Sequence, residues 1–264
     1  MNQNEKFMNW DNPGVALITG ASSGIGEQFA YQIAQKGFDL ILVARRKEKL
    51  EALGKILSDK YSIQTDIIIA DLSKPNDMEK AIAKIMNINN LDILVNNAGY
   101  GINKPFLEWK NAESAEMINV LYIAPVRFCH AVLPGMIERG RGIIINNASS
   151  SALIKSSPIY SSSKAALIVF SEIMKPRIKV KDVHIQALCP GFTYSEFHDT
   201  ATMEGFDREE YSNNQWMTAE EVVNESLQNI KSRHVIFIPG ENNRVLIKAI
   251  RKSTLKKYLN LKIF

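Results

Sequence analysis

Cysteine is scarce in this 264-residue chain. The two present, Cys129 and Cys189, both fall in apolar surroundings, which argues against a disulfide framework and suits a reducing compartment. The four histidines, at 130, 184, 198 and 234, show no metal-ligand spacing, so no metal is expected. Long apolar runs are missing too: the longest, 38–44 (FDLILVA) and 143–145, fall well short of the about 20 residues that cross a bilayer. The first residues, MNQNEKFMNW, lack the apolar centre of a secretion signal, and the expected location is the cytoplasm. No repeat, low-complexity tract or Pro/Gly/Ser-rich linker divides the chain. The charge excess is only +4 and scattered, with no aromatic–basic platform, so no nucleic-acid partner is expected. A basic helical segment over 241–264 reads as a solvated face, and membrane contact is not expected.

Apolar residues make up 45% of the chain, enough for one large core, and they are arranged in an alternation. Short apolar runs at 15–19, 38–44, 66–70, 91–95, 143–147, 183–188 and 235–238 read as strands. Helical patterns over 25–36, 47–61, 75–86, 113–138, 161–175 and 219–231 separate them, with Pro125 placed to kink the longest. Strands this uniformly apolar are buried on both faces. The expected fold is therefore α/β: a doubly wound, seven-stranded, mainly parallel sheet of Rossmann type with helices on both faces. One domain covers 14–264, preceded by a flexible extension over 1–13. In such folds ligands sit beyond the carboxyl ends of the strands.

The first strand runs into Thr19-Gly20-Ala21-Ser22-Ser23-Gly24-Ile25-Gly26. Glycines at a strand-to-helix turn let backbone approach a pyrophosphate, whose charge the helix N-terminus favours. The second strand ends Val43-Ala44-Arg45-Arg46, without the Asp or Glu that would accept from the ribose hydroxyl of NAD. A guanidinium matches a phosphate instead. NADP(H) is thus the expected cofactor, with Arg45 on its 2′-phosphate, Arg46 beside it, and Ser22 or Ser23 as further donors.

These motifs, with Asn96-Asn97-Ala98-Gly99 after the fourth strand, Tyr160-Ser161-Ser162-Ser163-Lys164 and Cys189-Pro190-Gly191, follow one another in order from about Gly14 to Gly240. In this the chain resembles the short-chain dehydrogenase/reductase family, and among its members the NADP-dependent bacterial reductases. The resemblance implies hydride transfer between NADP(H) and a carbonyl or secondary alcohol of medium size. It implies that Asp71 and Leu72 border the adenine, that Asn97, Ala98 and Gly99 line the cofactor path, and that Pro190, Gly191 and Thr193 meet the nicotinamide. It also implies a homodimer or homotetramer built on the helices carrying Asn119 and Tyr160.

Tyr160 and Lys164, four apart on a helix, share a face. An ammonium ~4 Å from the phenol at an effective dielectric of 20 favours the phenolate by roughly 4 kcal/mol, lowering its pKa of about 10 by about three. Tyr160 then serves as general acid and base, and Lys164 also holds the nicotinamide ribose. Asn119 matches the family's relay asparagine under the lysine. The family's catalytic serine falls on Ser149 or on Ser150, depending on the anchor of the alignment. Counted to Ser149, the interval to Tyr160 is about two shorter than the family's common one, so the loop between must be tight. Residues 192–217, mixing aromatics and acids, read as a substrate lid. Phe106, Trp109, Phe197, Phe206 and Trp216 are candidates for its apolar wall. Two rival readings are an NADP-binding regulatory or scaffold protein and a membrane-surface lipid ketone reductase.

Overall fold

The computed structural model of the chain describes residues 12–154 and 156–259. The extension expected over 1–13 lies, through residue 11, outside the described residues, as do 260–264 of the basic segment. In chain order the regular elements are β1 (Val15–Thr19), α1 (Gly24–Ala34), β2 (Asp39–Ala44), α2 (Lys47–Tyr61), β3 (Thr65–Ile69), α3 (Pro75–Ile85), β4 (Leu91–Asn96), α4 (Asn111–Ile118) and α5 (Ala124–Arg139). There follow β5 (Gly142–Asn147), α6 (Ser151–Ile154), α7 (Pro158–Met174), β6 (Val183–Leu188), β7 (Phe192–Tyr194), β8 (Trp216–Thr218), α8 (Ala219–Asn229), β9 (Ile236–Phe237) and α9 (Glu241–Leu259).

The main sheet has the order β3-β2-β1-β4-β5-β6-β9, and every pairing in it is parallel. Side chains alternate across it because successive strand residues point to opposite faces. Leu17, Ile41, Val43, Leu94 and Ile144 pack with α3, α4 and α5. Ala16, Ile18, Leu40, Leu42, Ile93, Val95, Ile143 and Ile145 pack with α1, α2 and α8. The strand order reverses between β1 and β4, the point at which folds of this kind form a ligand crevice beyond the strands' carboxyl ends.

Three local outcomes depart from the sequence expectations. The long helix carries its distortion just before Pro125, as a π turn over Asn119–Ile123 in which the Ala124 N–H donates to the Asn119 carbonyl. Proline lacks an N–H and crowds the carbonyl four residues back, and the wider turn absorbs both. By length and composition Asn111–Arg139 would pass for a membrane span, longer than any uninterrupted apolar run suggested; its Met117, Leu121, Phe128 and Met136 pack in the core. Helix α7 begins at Pro158, not at residue 161, since a proline suits the first helical position, where an N–H would have no partner. That puts Tyr160 in the first turn.

Residues 192–218 form a small unit of their own. β7 and β8 pair in parallel, with four short 3₁₀ turns between them. Phe192 stacks on Trp216 at 5.0 Å and lies 4.3 Å from Tyr211. His198 stacks on Phe206 at 4.5 Å. Asn103, in the loop after β4, donates its backbone N–H to Thr202 and its side chain to the Glu204 carbonyl, tying the unit to the mouth of the crevice.

Candidate active site

The glycine turn is clamped by the end of β4. Thr19 Oγ1 accepts from the backbone N–H groups of Asn97 (2.9 Å) and Ala98 (3.1 Å). Gly20 has φ +67°, and a Cβ there would stand 2.8 Å from Ala98 Cα. A Cβ on Gly26 would stand 2.2 Å from the Gly20 carbonyl oxygen, so only glycine lets α1 start this close under the turn. Ile25 follows in the first turn of α1, packed against the core.

At the end of β2 the two arginines part. Arg46 Nη2 donates to Ser22 Oγ and Ser23 Oγ, each at 2.8 Å, and its Nη1 to Glu196 Oε2 at 2.6 Å. Arg45 is exposed and, among the described residues, has no hydrogen bond; its charge acts on Tyr100, whose phenol burial pushes up to about 12. The guanidinium beside the turn's hydroxyls is therefore that of Arg46, the residue sequence placed second. Asp71 Oδ1 accepts from the Ser73 N–H at 3.0 Å, and Leu72 is buried behind it.

Asn97 bonds inward. Its Nδ2 donates to the carbonyls of Thr19 (3.0 Å) and Gly20 (3.2 Å), and its Oδ1 accepts from Asn147 Nδ2 at 2.8 Å. Asn147 is a site residue that the sequence reading missed. Its carbonyl accepts from Lys164 Nζ, so one residue joins the glycine turn, the end of β4 and the lysine. The available signal was a pair of asparagines closing each of two apolar strands, Asn96-Asn97 and Asn146-Asn147. A buried polar side chain is the informative exception. Asn96 and Asn146 themselves bond across the strands at 2.8 Å.

Lys164 is buried, and burial draws its ammonium down to about 8. Its Nζ lies 5.7 Å from the centre of the Tyr160 ring. Burial pushes the Tyr160 phenol up to about 12, opposed by hydrogen bonding from Ser149. The acidification expected from the ammonium is absent in the protein alone: burial sets the direction of the shift, and the hydrogen bond from Ser149 is what opposes it. Ser149 is the serine that acts on Tyr160. Ser150 donates its backbone N–H to the Pro190 carbonyl. The short loop is drawn in by hydroxyls: Ser151 Oγ lies 2.5 Å from Ser161 Oγ and 2.8 Å from Ser156 Oγ. Asn119, in the π turn, donates Nδ2 to the Ser73 carbonyl at 3.0 Å. Gly99 faces Lys164, whose Nζ would stand 3.8 Å from a Cβ there.

On the far side, buried Thr193 donates Oγ1 to the Gly191 carbonyl, and Pro190 is buried beside it. Gly191 is overlain by Asn243 of α9, which would stand 2.6 Å from an added Cβ. Of the five wall candidates, Phe197 meets Tyr160, edge-on at 5.8 Å. Phe206 and Trp216 belong to the aromatic nest, and Phe106 and Trp109 pair with each other. No group of three or more metal-ligating side chains occurs among the described residues.

The sequence model of the short chain dehydrogenase family matches residues 14–204. A human relative, inactive hydroxysteroid dehydrogenase-like protein 1 (Homo sapiens), is 35% identical over 180 residues, 66% of this chain and 54% of its own. The very-long-chain 3-oxoacyl-CoA reductase of Anas platyrhynchos is 30% identical over 181 residues, 66% of this chain and 58% of its own. The chain thus spans little more than half the length of these curated relatives. Among solved structures, a short-chain dehydrogenase from Sphingobium yanoikuyae in complex with NADPH superposes with a TM-score of 0.82 at 28% identity, covering 96% of this chain and 97% of that one.

Proposed function

This chain belongs to the short-chain dehydrogenase family, and we propose that it is an NADP(H)-dependent oxidoreductase interconverting a ketone and a secondary alcohol of medium size. The residues at the crevice fit the cofactor. The glycine turn has no side chain to block a pyrophosphate, and Arg46 with Ser22 and Ser23 forms a cluster that already holds an anion, the Glu196 carboxylate. Asp71, Leu72, Ala98, Gly99, Pro190, Gly191 and Thr193, which the family resemblance assigns to the adenine, the cofactor path and the nicotinamide, would complete the site. Bound there, the nicotinamide would supply or accept the hydride.

The chain's own work is on the proton. Tyr160 Oη gives its proton to the carbonyl oxygen in reduction and takes it back in oxidation. A phenol at about 12 keeps its proton at neutral pH, which suits the reductive direction. Ser149 shares its hydroxyl with the reacting oxygen and the phenol. Lys164, held by the Asn147 carbonyl, brings positive charge that stabilises the phenolate once formed. Phe197 and Met203 close over Tyr160 and Gly101 and present an apolar wall to the substrate. Exposed Ile118, Ile123, Val169 and Ile173 on the helices carrying Asn119 and Tyr160 support a homodimer or homotetramer. The two buried free thiols support a reducing, cytoplasmic setting.

The observation that carries this reading is the convergence of Ser149, Tyr160 and Lys164 at the strand ends beside the glycine turn. A panel of ketones with NADPH, followed at the nicotinamide absorbance, tests it. Tyr160→Phe is expected to lower kcat by about 10²–10⁴-fold with NADPH binding retained, and undiminished turnover would sink the assignment. A second reading is an NADP-binding protein without turnover. Its supports are the relative named inactive and the packing of Phe197 on Tyr160. NADPH binding with no oxidation by any ketone would favour it.

A further inference from the structure

Glu196 stands on the lid, opening the 3₁₀ turn Glu196–Asp199, yet its carboxylate is held from the opposite side of the crevice. Arg46 Nη1 donates to Oε2 at 2.6 Å, and Lys49 Nζ, in the first turn of α2, donates to Oε1 at 2.5 Å. The same guanidinium is fixed by the hydroxyls of Ser22 and Ser23. These two cations keep Glu196 ionised, its carboxyl drawn down to about 2. The neighbouring Ser195 lies over the glycine turn, where its Cβ would be 2.8 Å from a Cβ on Gly24. Glu27 of α1 is the other acid within electrostatic reach of this cluster, and burial pushes its carboxyl upward.

A negatively charged group therefore already occupies the donor set that the proposed function gives to a ribose phosphate. A phosphate monoester carries up to two charges and needs the same Arg46 fork. It cannot share Arg46 and Lys49 with Glu196 without like-charge repulsion.

We propose that Glu196 is a cofactor-specificity residue, an internal stand-in for the 2′-phosphate that Arg46 and Lys49 hold until NADP(H) displaces it, freeing the 195–199 arm of the lid. The inference rests on the NADP(H) reading above. A cofactor with a free 2′-hydroxyl leaves the Arg46–Glu196–Lys49 pairing in place, whereas one with a 2′-phosphate must break it. Affinity for NADPH is thus held below what the cations alone would give, and release of the arm is coupled to the phosphate. Lys49, which no motif marks, joins Arg46 as a phosphate contact once Glu196 has left.

The test titrates NADPH and NADH, by nicotinamide fluorescence, into the unmodified chain, Glu196→Gln and Arg46→Gln. Glutamine keeps the shape and one acceptor but not the charge. In Glu196→Gln, NADPH should bind roughly three- to tenfold tighter while NADH changes little. NADPH affinity that is unchanged or weaker overturns the proposal. A second measurement needs no variant. Adenosine 2′,5′-bisphosphate should raise amide hydrogen exchange across residues 196–200 of the unmodified chain, and adenosine 5′-monophosphate should not. Equal effects of the two nucleotides overturn the proposal as well. The two failures are separable. If the unmodified chain shows no preference for NADPH over NADH and Arg46→Gln changes neither, the cofactor reading falls and the latch with it. If Arg46→Gln abolishes a preference on which Glu196→Gln has no effect, the latch alone falls.

Discussion

At the scale of single residues the decisive quantity is the balance between burial and neighbouring charge. A phenol ~4 Å from an ammonium should be acidic, yet burial leaves Tyr160 at about 12 and draws Lys164 to about 8. Both shifts favour the neutral form, as desolvation must. They also set a pH dependence. Lys164 in the unfolded chain ionises near 10.5, in the folded protein near 8. Between those values the unfolded chain binds the extra proton, so the contribution of Lys164 to stability rises with pH. Urea unfolding of the unmodified chain and Lys164→Met, from pH 8 to pH 10, should show the unmodified chain gaining on the variant as pH rises. A flat difference would mean that Lys164 has an ordinary lysine's ionisation in the fold.

At the scale of elements, the 192–218 unit packs around a neutral histidine. His198 lies among Phe192, Phe197, Phe206 and Trp216, and its buried Nδ1 has no hydrogen-bond partner among the described residues. Burial, with Arg208 adding to it, lowers its pKa from 6.5 to about 4. Over that range the unfolded chain takes up a proton that the folded unit refuses, so the stabilisation is lost as pH falls from 6.5 towards 4. His198→Phe removes the titration and keeps an aromatic ring in the nest. Thermal unfolding should show the unmodified chain losing stability relative to the variant across this window, and parallel curves would place the imidazole in contact with water. The boundaries of such elements were only partly legible. Pro158 starting α7 and the π turn ahead of Pro125 follow from proline chemistry acting locally. The pairing of β7 with β8 joins segments more than twenty residues apart, and no periodicity in the sequence announces it.

At the scale of the whole molecule, the parallel sheet gathers the turns after β1, β2, β4, β5 and β6 at one edge, which is why motifs far apart in sequence meet. The opposite edge is structural: Asp92, buried, is paired with Arg141 at 2.6 Å and accepts from the Gly14 N–H at 3.1 Å. A cofactor that bridges both halves of the sheet should stabilise the fold as a unit. At a hundred times its Kd, NADPH is expected to add about 2.7 kcal/mol, or roughly 5–10 °C in Tm for a domain of this size. NADH at the same concentration should add less. Equal shifts in a thermal melt would count against a phosphate site at Arg46.

The sequence by itself determined the layout: which runs become buried strands, and that the glycine turn, the arginine pair, Asn96–Gly99 and Cys189–Gly191 follow directly on them. Those properties depend on hydrophobic period and on turn chemistry within a few residues, and local rules reach that far. Only the tertiary structure decided between neighbours. It set Arg46 rather than Arg45 against the serine hydroxyls, and Ser149 rather than Ser150 against Tyr160. It turned Asn147 into the link between Lys164 and Asn97, and brought Glu196 across 150 positions to Arg46. Each of these turns on the direction of a side chain after distant segments have packed. Adjacent residues of one type carry no such direction until the chain around them is folded.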